Sequence, residues 1–195
     1  MSLVNLVIDG KKVAIGKDKT LLDAAQKAGI EIPTLCYHKK LLPYGACRLC
    51  MVELIRGHKS SLVASCAYGV EEGLEVRTNS DRVMKVRKLM IELLLAQAPY
   101  LNKLHKYAQE YGVKNTRFNK KLSVCILCGL CARYCAEVKK EKSVGFIGRG
   151  VKRRLSWIPD SGYSEKCAKC FECASICPTG VFPSNCGLSS IKHLK

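Results

Sequence analysis

Twelve of the thirteen cysteines in this 195-residue chain fall into sets with metal-ligand spacing. Two of the sets are four-cysteine runs, Cys125-x2-Cys128-x2-Cys131-x3-Cys135 and Cys167-x2-Cys170-x2-Cys173-x3-Cys177. Cysteines three apart in a turn put three sulfurs on one concave face, with backbone N–H groups aimed at them. A fourth thiolate must come from elsewhere to close a cubane. This is the run of proteins that hold two [4Fe–4S] clusters, in which the last cysteine of each run serves the other cluster. One cluster is therefore expected on Cys125, Cys128, Cys131 and Cys177, the other on Cys167, Cys170, Cys173 and Cys135. Pro178 follows the second run and fixes the chain leaving it, whereas Ala136 follows the first.

A third set lies upstream, Cys36-x10-Cys47-x2-Cys50-x15-Cys66. Taken alone it suits a [2Fe–2S] cluster or a zinc ion equally, because Cys-x2-Cys is also a zinc pattern and the spacing is not that of plant ferredoxins. Gly45 would let the loop turn close to a cluster. For the two downstream runs zinc is the weaker reading, since zinc sites use separated pairs. Cys186 is left over and reads as a spare or buried thiol. No nucleophile–base pair, Walker motif or dinucleotide fingerprint accompanies these sets. Three clusters in a chain this short leave little room for a separate active site, and the chemistry that remains is electron transfer.

An odd cysteine count, metal spacings and no visible secretory signal in Met1–Lys12 oppose a disulfide framework. A reducing cytoplasm is the expected home. The longest apolar stretch, near Ile91–Ala98, is far short of the roughly 20 residues of a membrane helix. The formal charge is +17, with +5 in residues 1–98 and +12 in residues 99–195. Three anionic clusters of about −2 each would lower the total to about +11. The basic second half could steer acidic partners or nucleic acid. A zinc-bearing nucleic-acid binder is suggested by charge and cysteines alone, and neither nucleic acid nor a membrane span is expected.

The elements that must hold these cysteines are legible as patterns. Residues 3–8 and 12–15 predict a hairpin around Asp9-Gly10. Thr20-x-x-Asp23 opens a helix that Gly29 closes. Strands are expected over 51–55, 60–64 and 75–78. Ser80 can cap a helix running to about Gln97, with Val83, Val86, Met90, Leu93 and Leu94 as its apolar stripe. Pro99 breaks it. A second helix is expected over 100–111, carrying Leu101, Leu104, Ala108 and Tyr111 on one side, and residues 113–121 form a basic linker. Residues 143–147 read as a strand and, with the basic 149–155, separate the runs; the Lys152-Arg153-Arg154 cluster reads as a solvated loop. The two runs repeat at about 42 residues, in keeping with a pseudo-twofold ferredoxin.

Residues 31–66 (EIPTLCYHKKLLPYGACRLCMVELIRGHKSSLVASC) resemble the [2Fe–2S] domain at the N-terminus of the large iron–sulfur subunit of bacterial NADH dehydrogenase. The same module occurs in the diaphorase iron–sulfur subunit of NAD-linked bidirectional hydrogenases and at the N-terminus of iron-only hydrogenases. Residues 124–135 (VCILCGLCARYC) and 145–155 (GFIGRGVKRRL) resemble the two-cluster segment of that family. The resemblance implies that Cys36, Cys47, Cys50 and Cys66 bind a [2Fe–2S] cluster. It implies an α+β chain: a [2Fe–2S] ferredoxin-like β-grasp domain at 1–79, a helical connector at 80–120 and a bacterial-type 2[4Fe–4S] domain at 121–195. It also implies a non-catalytic electron-transfer role in a cytoplasmic NAD(P)-linked complex, of hydrogenase or formate dehydrogenase type and compatible with electron bifurcation. A flavin-containing NAD(P)-binding subunit would stand on one side and a second redox enzyme subunit on the other. A freestanding ferredoxin carrier is the alternative, opposed by the long apolar helix if that helix serves subunit contacts. One departure stands out. The family carries a further [4Fe–4S] site of one histidine and three cysteines in the connector. Here Ala98 precedes Pro99 where the histidine would stand, and no cysteine lies between Cys66 and Cys125.

Overall fold

The computed structural model describes residues 2–120, 124–157, 170 and 172–180. Strands β1 (Leu3–Ile8) and β2 (Lys11–Gly16) form an antiparallel hairpin in register from Leu3↔Gly16 to Ile8↔Lys11. Its two-residue turn needs two positive φ angles, and Asp9 (48°) and Gly10 (80°) supply them. Val4, Leu6 and Ile8 alternate inward along β1. Strands β3 (Met51–Arg56) and β4 (Lys59–Ala64) make a second antiparallel hairpin. The short β5 (Glu75–Arg77) joins the two hairpins, parallel to β1 and antiparallel to β3, for an order β2-β1-β5-β3-β4. Asp9 secures that join by accepting from the Thr78 amide at 2.7 Å and the Thr78 hydroxyl at 2.5 Å.

Helix α1 (Leu21–Lys27) lies across this mixed sheet. Thr20 and Asp23 close a reciprocal capping box, and Gly29 (φ 71°) turns the chain out. Leu21, Ala24 and Ala25 pack with the sheet residues Leu6, Ile8, Val52, Leu54 and Val76. This is a β-grasp arrangement, and the chain is α+β as expected. The long segment between α1 and β3 has no regular secondary structure. It carries Cys36, Cys47 and Cys50.

Helix α2 (Asp81–Gln97) starts at Ser80, whose hydroxyl accepts from the Val83 amide, and α3 (Asn102–Glu110) packs back on it after Pro99. The buried face of α2 differs from the expected stripe. It is Val83, Arg87, Ile91, Leu95 and Ala96, while Leu93 is 41% exposed. An i, i+4 series fits the 3.6-residue turn, but an arginine at its second position hid the register.

The second half is built from short pieces: α4 (Leu130–Arg133), a π-helical turn (Tyr134–Val138), the hairpin β6 (Val144–Ile147) and β7 (Arg154–Trp157), and α5 (Glu172–Ser175). Strand β7 takes in Arg154, the last residue of the basic cluster expected to be a solvated loop; alternation there is masked by Arg153 and Arg154. The two halves share one core. Cys36, Cys47 and Leu49 from the upstream loop pack with Ile91, Leu95 and Leu104 of α2 and α3, and with Cys128, Leu130 and Tyr134. The buried face of α2 therefore packs within the chain. No helix among the described residues is long and apolar enough to cross a membrane.

Candidate metal centres

The first centre forms where the irregular loop meets the β3–β4 hairpin. The ladder pairing Met51 with Ala64 extends one step, the Ser65 amide donating to the Cys50 carbonyl at 3.0 Å. That step seats Cys50 beside Cys66, with their Sγ atoms 3.3 Å apart. Cys36 sits beside Cys47, and the Cys47 amide donates to the Cys36 Sγ at 3.3 Å. Two residues bend the loop with positive φ, Gly45 (68°) and Arg48 (57°). All four thiols are buried.

Their electrostatics fall into the same two pairs. Cys47 is lowered to about 6, first by its hydrogen bond with Cys36 and then, against burial, by the amides of Leu49, Leu35 and Cys36. Cys36 is correspondingly raised, by that same bond and by burial. Cys50 is lowered to about 7 through its bond with Cys66, and Cys66 is raised. In each pair one thiol is shifted toward ionisation by its neighbour. A [2Fe–2S] cluster has two irons, each taking two protein ligands. Two close thiol pairs fit that requirement. Among the described residues no three His, Cys, Asp or Glu side chains gather closely enough to hold a single metal ion. The Ser65 hydroxyl, fully buried, has no conventional partner and lies where it helps lower Cys50, as a donor facing sulfur would.

In the second half, Cys125, Cys128, Cys131 and Cys177 line one small cavity together with Leu130, Phe146 and Leu155. Gly129 (φ 77°) and Leu127 (φ 53°) bend this loop, and the Leu127 amide donates to the Cys125 Sγ at 3.4 Å. A Cβ at Gly129 would lie 3.2 Å from the Tyr44 ring. Burial pushes the Cys128 thiol up to about 11 and also raises Cys125 and Cys131, with further repulsion from Cys177 on each. Ionised together, as ligation requires, these thiolates would need a cation among them to offset burial and mutual repulsion.

Of the remaining set, Cys135 sits on the π-helical turn, a deviation that re-aims side chains. Its Sγ accepts from the Ser143 amide at 3.3 Å, and the buried Ser143 hydroxyl has no partner. Cys173 packs near Cys131, Val144 and Cys177. The Cys170 Sγ lies 3.8 Å from Glu172, which receives Tyr134 at 2.8 Å and Lys139 at 2.5 Å. Cys167 and Cys186 lie outside the described residues.

Sequence reasoning missed the groups that fasten the two centres together. Arg133 donates to the carboxylate of Glu137 at 2.9 Å and to the Leu42 carbonyl, while the Leu42 amide donates to Glu137 at 3.1 Å. The Arg133 guanidinium also stands 5.0 Å from the Tyr44 ring. Gln97 at the end of α2 donates to the Cys125 carbonyl at 3.1 Å. Arg87, near its start, binds the carbonyls of Leu49 and Met51. Ten residues of helix, about 15 Å of rise, lie between those two anchors, so a single helix holds both ligand loops. The i, i+4 pair Arg133/Glu137 was visible in the sequence; its loop partner 91 residues away was not. His105 is exposed, its Nε2 2.6 Å from the Pro99 carbonyl oxygen.

Comparison with known proteins gives these centres relatives. Residues 2–81 match the family described as a 2Fe-2S iron-sulfur cluster binding domain, and residues 121–181 a 4Fe-4S dicluster domain. The chain is 32% identical to an NADPH-Fe(3+) oxidoreductase subunit alpha of Geobacter sulfurreducens, over 93% of this chain and 24% of that protein. It is 31% identical to the mitochondrial NADH-ubiquinone oxidoreductase 78 kDa subunit of Neurospora crassa, over 93% and 27%. To an NADP-reducing hydrogenase subunit of Solidesulfovibrio fructosivorans it is 28% identical, over 93% and 36%. The chain thus spans about a quarter to a third of these relatives. A chain of an NAD+-reducing [NiFe]-hydrogenase crystal structure superposes with a TM-score of 0.71 at 29% identity, over 82% of this chain and 76% of that one.

Proposed function

We propose, from the premise that this chain belongs to the iron–sulfur proteins joining a 2Fe-2S domain to a 4Fe-4S dicluster domain, that it is the electron-transfer subunit of a cytoplasmic NAD(P)-linked complex. Its segments are a [2Fe–2S] domain at 1–79, a helical connector at 80–120 and a two-cluster domain at 121–195. Cys36 and Cys47 would hold one iron of the first cluster, Cys50 and Cys66 the other. Cys125, Cys128, Cys131 and Cys177 would hold one [4Fe–4S] cluster; Cys135, Cys167, Cys170 and Cys173 the second. When bound, the clusters supply one-electron steps. The observation that carries the reading is the shared core, in which the Cys47 and Cys128 loops pack on the same helices. The chain's residues exclude water between the two loops and fix their separation, which is what a relay requires.

A hydride cannot enter such a chain directly, so a flavin subunit must divide it into single electrons. That partner would meet the less basic first half. A second catalytic subunit of hydrogenase type would meet the basic second half; the names of the relatives favour it over a formate dehydrogenase. The internal packing of α2 keeps a freestanding carrier as the second reading, which monomeric behaviour on gel filtration beside a normal partner complement would favour. The direct test uses purified, cluster-loaded protein. It stays oxidised with NADH and bleaches with dithionite or with its flavin subunit. Rapid NADH-dependent bleaching of the flavin-free chain would overturn the proposal.

A further inference from the structure

Arg87 is a buried cation that pairs with no anion among the described residues. It sits on the inner face of α2 at 3% exposure. Its Nε donates to the Leu49 carbonyl at 3.2 Å, Nη2 to the Met51 carbonyl at 2.8 Å and Nη1 to the Tyr111 hydroxyl at 3.1 Å. The Tyr111 ring lies 5.8 Å from its Cζ. None of the ion pairs among the described residues involves it. A guanidinium stays protonated at any ordinary pH, and a buried charge is costly unless an opposite charge compensates it. Neutral acceptors alone leave that cost uncompensated.

The two carbonyls it binds bracket Cys50. The Leu49 carbonyl belongs to the peptide whose N–H is that of Cys50, and a planar trans peptide points the two groups in opposite directions. Arg87 therefore polarises that peptide and makes the Cys50 N–H a stronger hydrogen-bond donor. We propose that Arg87 is the counter-charge of the first centre: it favours the reduced form of the [2Fe–2S] cluster held by Cys36, Cys47, Cys50 and Cys66, and so sets the potential at which this end of the chain takes an electron. The inference rests on the ligand assignment above. In the step concerned, a one-electron donor such as a reduced flavin or dithionite loses one electron and the cluster gains it. Its charge goes from about −2 to about −3, and a fixed cation stabilises the second more than the first.

The test is an anaerobic redox titration of the full-length, cluster-loaded protein, following the EPR signal of the reduced [2Fe–2S] cluster and those of the [4Fe–4S] clusters. Arg87→Gln should weaken reduction of the [2Fe–2S] cluster by about tenfold, a fall of 59 mV for one electron. The [4Fe–4S] potentials should stay in place. Arg87→Lys keeps the charge but loses the forked hydrogen bonds, and should stay within about threefold of the native equilibrium by the same conversion. A merely structural clamp would lower the stability of both variants and move neither potential. A native potential in the Gln variant, or equal shifts in Gln and Lys, overturns the proposal. If the Gln variant does not assemble, Arg87→His decides. Its potential should fall relative to the native profile as pH rises through the histidine titration, and a parallel profile overturns the proposal. Native protein with no [2Fe–2S] signal would instead overturn the ligand assignment.

Discussion

The thiols divide into groups that share protons and groups that resist losing them. Cys47 and Cys50 are lowered to about 6 and 7 by their neighbours' protons, whereas Cys128 is pushed up to about 11 by burial. Both arrangements become favourable when iron replaces protons, because ligation requires thiolates. The residue that tests the ligand pattern is Cys177. It belongs by sequence to the second run, yet it lines the cavity of Cys125, Cys128 and Cys131. Cys177→Ser is expected to perturb the [4Fe–4S] cluster on that first run and leave the other largely intact, read by EPR and Mössbauer spectroscopy. Damage confined to the second-run cluster would contradict crossed ligation. The cysteine sets were fully legible in the sequence, because spacing fixes which sulfurs can share a turn. Arg87 was not. Burial of a charge depends on what packs around it, and a lone arginine among apolar positions reads as a solvated face.

At the level of elements, the sequence announced nearly every strand and helix of the first half. Asp9-Gly10 can only turn a hairpin tightly, and Thr20 with Asp23 closes its own cap. The second half was harder to read. The π-helical turn at Tyr134–Val138 and the pairing of β6 with β7 arise from packing rather than local preference. The Arg133–Glu137–Leu42 latch is a polar contact that joins the halves beside their shared core. Arg133 is 15% and Glu137 30% exposed at the side chain. Burial opposes ionisation of Glu137, but the Leu42 amide and Arg133 outweigh it and lower its pKa. A lowered carboxylate pKa stabilises the fold at neutral pH, and that contribution is lost as pH falls through the folded value, below 4.5. Arg133→Ala should cost about 1.5–3 kcal/mol at pH 7, the range for hydrogen bonds to charged groups, with the difference from native shrinking toward pH 3.5. Denaturant unfolding of the two proteins at both pH values measures it; equal stability at pH 7 would show that the latch is ornamental.

Across the whole molecule, the resemblance read from residues 31–66, 124–135 and 145–155 holds. The matched families and the hydrogenase superposition both bear it out. The shared core was not legible, since each half reads as a unit with its own ligands. Only folding shows that Leu49, Ile91, Leu104 and Tyr134 meet. That core makes the chain a continuous support for the candidate metal centres, with +5 on residues 1–98 and +12 on residues 99–195. Under the proposed function, such asymmetry would suit partners of different charge at the two ends. The central claim is that twelve cysteines hold three iron–sulfur clusters and no other metal. Iron, acid-labile sulfide and zinc per chain, measured on protein purified anaerobically, test it most directly. One [2Fe–2S] and two [4Fe–4S] clusters require about ten irons and about ten sulfides. Iron near six, or zinc at one per chain in place of the first cluster, would contradict the account.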